Sequence, residues 1–135
     1  MYPTDLGIKY ELGLRLLRTG TQEVLRRAIS LLQQASRDPK CRIKATVALG
    51  QAYMARNMPK EAVDTMEAAL KMEGMDEASR KGLLFDLGCL LEKMDKLPEA
   101  EAYFSELTKM DINYRNGEAD DRLTAVRKAL EGRGA

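Results

Sequence analysis

The chain has no histidine and no tryptophan, and only two phenylalanines, four prolines and two cysteines in 135 residues. Without histidine it lacks the commonest metal ligand and the side chain that most often serves as a general base near neutral pH. Cys41 and Cys89 stand far apart, with no Cys-x-x-Cys spacing, so they read as reduced structural thiols rather than a zinc or redox motif. Lys40 and Arg42 beside Cys41 favour its thiolate only modestly, and Cys89, beside Gly88 inside a helix, has neither a histidine nor a helix N-terminus to do so. Adjacent or near-adjacent acids such as Asp120/Asp121 and Glu99/Glu101 do not meet on one helix face. No Gly-rich phosphate loop and no Ser/Lys nucleophile constellation occurs. No enzyme activity, cofactor or metal is expected.

Long apolar runs are also missing. Nothing approaches the roughly 20 residues a membrane span needs, and no basic-then-apolar leader opens the chain. No membrane insertion and a cytoplasmic location are therefore expected. Charge of one sign is scarce too: the net charge is +1, which argues against nucleic acid as a partner. The distribution is less even. Residues 1–45 carry 9 basic and 4 acidic side chains, residues 46–115 carry 9 and 13, and the last 20 carry 4 and 4. A basic head on a more acidic body can orient partners or further copies of the chain.

What is abundant is Leu, Ala, Glu, Lys, Arg and Met, in a chain that is 44% apolar and 32% charged. These are helix formers, and no convincing strand pattern appears. Apolar periodicity predicts seven helices over about 5–18, 21–36, 40–56, 59–72, 76–94, 97–109 and 118–131. Gly20, Asp38-Pro39, Asn57–Pro59, Gly74, Asp95–Pro98 and Asn116-Gly117 fall at the breaks. Pro59 and Pro98 suit a first helical turn, Glu61 and Glu99 suit its positive end, and Asp76 suits an N-cap.

One arrangement occurs twice. Leu49-Gly50 is followed by Ala62 and Met66, and Leu87-Gly88 by Ala100 and Phe104, at the same spacings. A mid-helix glycine costs about 1 kcal/mol relative to alanine, so its recurrence asks for a reason. A missing side chain lets the next helix approach closely across a short turn. Ala62 and Ala100 are expected to face the two glycines, with Met66 and Phe104 filling the widening space between pairs. A helix pair built this way keeps an open apolar side and must stack on another.

The pattern resembles the tetratricopeptide repeat, in which a Leu-Gly and an aromatic position are followed by Ala and then by a large apolar residue. Thr46, Leu49, Gly50, Tyr53, Ala62, Met66 and Ala69 form one copy, and Leu84, Leu87, Gly88, Leu91, Ala100 and Phe104 another, with Leu107 where a small residue is usual. A less regular copy reads Leu12, Gly13, Leu16, Gly20, Ala28, Leu32, Ala35 and Pro39. Its glycine-to-alanine spacing is three residues longer, and the extra residues are expected near GTQEVLRR, extending the second helix by about a turn. The resemblance implies an all-α fold: a right-handed α-solenoid of three helix pairs, about 5–39, 40–75 and 76–111, plus a C-terminal capping helix at about 118–131, all in a single domain over 1–135. In the last segment Leu123, Val126 and Leu130 form one stripe, as a cap requires. MYPTDLGIKYELG enters the first repeat almost at once, as a piece excised from a longer protein would.

In such repeats the first helix of each pair lines a concave groove. The resemblance therefore places Tyr10, Leu14, Leu17 and Arg18, then Lys44, Val47, Gln51, Met54 and Ala55, then Phe85, Cys89, Glu92 and Lys93 in a binding groove. The clamp of Asn, Lys and Arg with which some relatives hold a terminal carboxylate is not expected, because asparagine is absent from these positions. A groove with Leu14, Leu17, Val47, Met54 and Phe85 as its surface suits an amphipathic or extended protein segment, with Arg18, Lys44 and Lys93 meeting acidic groups at its rim. The competing expectation is that these apolar side chains are core. A non-catalytic interaction scaffold in a bacterial-type assembly is the favoured function. The alternative is a self-associating structural unit that oligomerises through an open end or through the groove.

Overall fold

Among the described residues the chain forms seven α-helices and no strand: α1 (Leu6–Thr19), α2 (Gln22–Ala35), α3 (Arg42–Ala55), α4 (Pro59–Leu70), α5 (Glu77–Lys93), α6 (Leu97–Met110) and α7 (Tyr114–Gly132). The structure is a computed structural model describing residues 6–19 and 21–133. The break expected at Gly20 lies outside the described residues. The helices pack as sequential antiparallel pairs, in two compact units, Met1–Glu73 and Gly74–Ala135.

In the first unit α1 packs on α2, α2 on α3 and α3 on α4. Thr21 caps α2, its hydroxyl accepting from the Val24 N–H at 3.3 Å. Leu25, Ala28, Ile29, Leu32 and Ala35 form the buried stripe of that helix, while Arg26, Arg27, Ser30 and Gln33 face solvent. Ala28 is the seventh residue of α2, whereas Ala62 and Ala100 are each the fourth of α4 and α6. The three additional residues thus sit at the start of α2, where they add the expected turn. Helix α3 buries Ala45, Thr46, Ala48, Leu49, Gly50 and Ala52, more than one face, because α2 and α4 both pack on it. The buried Thr46 hydroxyl donates back to the Arg42 carbonyl at 2.7 Å, which satisfies it within the helix.

The second unit repeats the plan with α5 and α6, and α7 packs on α6. Asp76 is the N-cap of α5, accepting from the Ser79 N–H at 3.3 Å. Helices α3 and α5 end alike. Asn57 and Asp95 adopt positive φ, 63° and 60°. Met58 N–H reaches the Tyr53 carbonyl and Lys96 N–H the Leu91 carbonyl, while Asn57 and Asp95 N–H reach Met54 and Glu92. This is the Schellman closure, with Asn and Asp in the position glycine usually holds. Pro59 and Pro98 then start the following helices, where a missing N–H costs nothing.

The recurring glycines do bring helices together, but the residue they admit differs from the expectation. A Cβ on Gly50 would lie 2.7 Å from Met66 Cγ, and one on Gly88 would lie 2.5 Å from Phe104 Cε1. At Gly13 the neighbour is Leu32, 2.9 Å from such a Cβ. The glycine accommodates the large side chain four residues beyond each alanine, and Met66 and Phe104 fill the helix pair itself rather than the space between pairs. Ala28, Ala62 and Ala100 are fully buried beside them.

Candidate functional site

The residues expected to line a groove fall into three environments. Tyr10, Leu14 and Leu17 are half-buried on α1 and pack with Tyr53 against Ile29, Leu32, Ala48, Leu49 and Ala52. They join α1 to the core beneath it. Burial raises the Tyr10 phenol pKa, as do Glu11 and Cys41, against a smaller lowering by Arg18. Arg18 is exposed near the end of the helix.

On α3, Lys44, Val47, Gln51 and Met54 recur at steps of three and four and share one face. Lys44 and Gln51 are exposed, Val47 is half-buried and Met54 is 37% exposed. The end of this face is anchored to the start of α2. Gln22 Nε2 donates to the carbonyl of the exposed Ala55 at 3.4 Å, and Arg56 Nη1 donates to the Gln22 carbonyl at 2.8 Å. Gln33 Nε2 donates to the Tyr53 hydroxyl at 3.0 Å, holding α2 to α3 midway.

The second unit is different. Phe85 is only 6% exposed and is core rather than surface. Its ring meets Phe104 edge-on at 6.2 Å and Tyr114 at 5.7 Å between centroids. The guanidinium carbons of Arg115 and Arg122 lie 4.7 and 5.6 Å from the Phe85 centroid, within cation–π range. Arg115 belongs to a left-handed turn, Arg115–Gly117, that opens α7 with φ of 52°, 57° and 86°. The Asn116-Gly117 break marks this turn in the sequence, but nothing local shows that it closes over Phe85. Glu92 accepts from Arg122 at 3.3 Å, and Lys93 is exposed.

Cys89 is half-buried beside this cluster. Burial raises its thiol pKa, Arg122 opposes that, and Asp86, Glu92 and Glu118 add to it. A thiol in that setting is a poor nucleophile. The Cys41 thiol lies 3.8 Å from Asp38 Oδ2. Among the described residues no group of three or more His, Cys, Asp or Glu is placed to hold a metal ion, and no helix is long and apolar enough to cross a membrane.

Residues 43–74, which span α3 and α4, match the family model of the tetratricopeptide repeat. A comparison with curated proteins finds no match. The matched segment holds Leu49, Gly50, Tyr53, Ala62, Met66 and Ala69, and the Gly50–Met66 contact recurs as Gly88–Phe104 and Gly13–Leu32. The helix pair α3–α4 thus matches one tetratricopeptide repeat, a unit that is typically non-catalytic and engages proteins, and the other two pairs share its glycine contact.

Proposed function

We propose that the chain is an interaction module that binds a protein segment along the exposed face of α3. The observation that carries this reading is the stripe Lys44, Val47, Gln51 and Met54. It alternates a cation, an apolar side chain, an amide and a second apolar side chain, on a helix whose other sides are largely buried. Methionine adapts its shape to a bound side chain, and Lys44 and Arg18 supply positive charge for an acidic rim. An amphipathic helix with acids flanking its apolar anchors has the complementary character. The burial of Phe85 leaves the corresponding part of α5 a structural role, so the first unit carries the binding. A cytoplasmic setting is part of this reading, in keeping with two cysteines spaced as structural thiols rather than as a disulfide framework.

The test is co-purification from the native source with wild type, Val47→Asp, Met54→Glu and the control Arg26→Glu on the outer face of α2. Loss of the same partner with both α3 variants, at unchanged melting temperature and with the control intact, supports the reading. Retention of that partner by both α3 variants contradicts it.

A further inference from the structure

Helix α1 carries a second apolar stripe, separate from the one that packs on the core. Ile8 is 62% exposed and Leu12, one turn on, is 38% exposed. Glu11 and Arg15 share the stripe, since positions 8, 11, 12 and 15 recur at the i, i+3, i+4, i+7 spacing of one helix face. With Gly7 they line a shallow, open patch along the helix. Glu11 and Arg15 join no ion pair among the described residues.

From this stripe we infer that α1 is a self-association surface whose occupant is the α1 of a second copy. Self-complementary charge is what selects that occupant. When two identical helices pack antiparallel about a two-fold axis, residues on either side of the crossing point exchange places between copies. A crossing between Glu11 and Arg15 sets Glu11 of each copy beside Arg15 of the other, so two ion pairs form at once. Ile8 and Leu12 of both copies lie between and beside them, and Gly7 leaves room for the helices to close. A partner with one fixed charge sign would satisfy only half of this pattern.

A helix of 14 residues is about 21 Å long, and one such crossing buries less than a standard stable interface. The dimer is therefore a weak one that forms at high concentration. This surface lies on α1 alone and does not depend on the α3 face proposed for partner binding, so either can fail without the other.

Sedimentation equilibrium on the full chain provides the test. Wild type gives a mass that rises from 15.1 kDa toward twice that value as concentration increases. Glu11→Arg and Arg15→Glu each place like charges together and weaken association by ~10-fold or more. An equal mixture of the two single variants restores association, because each copy then supplies the charge the other lacks. Ile8→Asp, at a position too exposed to disturb folding, abolishes association. A mass fixed at that of the monomer at all concentrations overturns the inference. So do single variants that associate like wild type, or a mixture no stronger than its components.

Discussion

At Gly88 the absence of one methyl group decides how closely α5 and α6 approach. A Cβ there would press on the rigid Phe104 ring at 2.5 Å, whereas at Gly82, on the same helix, a Cβ would meet only Tyr114 Oη, at 3.9 Å. Gly82→Ala is thus expected to stabilise by about 0.5–1 kcal/mol through helix propensity alone. Gly88→Ala gains the same propensity but overpacks the pair, and a net loss of about 1–2 kcal/mol is expected in urea unfolding. Gly50→Ala should fall between them, because Met66 can change rotamer where a phenyl ring cannot. Equal effects at Gly82 and Gly88 would show that the glycine–ring contact is not what closes the helix pair. Asp86 makes a pH-dependent statement at the same scale. Burial raises its carboxyl pKa above the usual 3.8, with Arg115 opposing. The native state therefore holds this proton more tightly than the unfolded chain. Its contribution to stability is greatest below about pH 4, falls as pH rises through the raised value and stays low at neutral pH. Asp86→Asn should raise the melting temperature at pH 7, with the difference from wild type shrinking as pH is lowered toward 4. A difference that grows on acidification would contradict this.

Helix boundaries were legible because their signals are local. Pro59, Pro98, Asp76 and the positive-φ residues Asn57 and Asp95 sit at helix ends and act there. Pairing was legible too, because the Gly-to-Ala spacing reports how far one helix lies from the next. Burial of individual groove positions was not. Whether Phe85 faces solvent depends on Tyr114, Arg115 and Arg122, which lie some thirty residues on in sequence and reach it through a left-handed turn. The α1 positions divide for a similar reason: Leu14 and Leu17 turn toward Ile29 and Leu32, while Ile8 and Leu12 do not. Periodicity detects an apolar residue but not what covers it. The consequence at this scale is that Phe85→Ala acts on packing. A loss of about 3–5 kcal/mol is expected for a buried aromatic ring, read by thermal or urea unfolding. An unchanged melting temperature would return Phe85 to the surface.

Across the whole molecule the two units manage their surfaces differently. The second is tied by ion pairs from helix to helix: Arg80 with Glu106, Lys81 with Asp111, Arg122 with Glu92, and Arg127 with Glu101. Arg133 pairs bidentately with Asp95, at 2.7 and 3.3 Å, fixing the end of α7 to the turn before α6. Each exposed pair contributes little by itself, but those of Arg122, Arg127 and Arg133 together tie α7 to α5, α6 and the turn before α6. The first unit presents Met54 on α3 and Ile8 and Leu12 on α1 to solvent, and in the second Ile112 is the exposed large apolar side chain among the described residues. The proposed recognition surface on α3 belongs to the first unit. Methionine methyl NMR of the labelled chain, titrated with the partner obtained by co-purification, tests this surface most directly. The Met54 methyl is expected to shift or broaden on binding while that of the buried Met66 holds its position. A Met54 signal unmoved at saturating partner would contradict it.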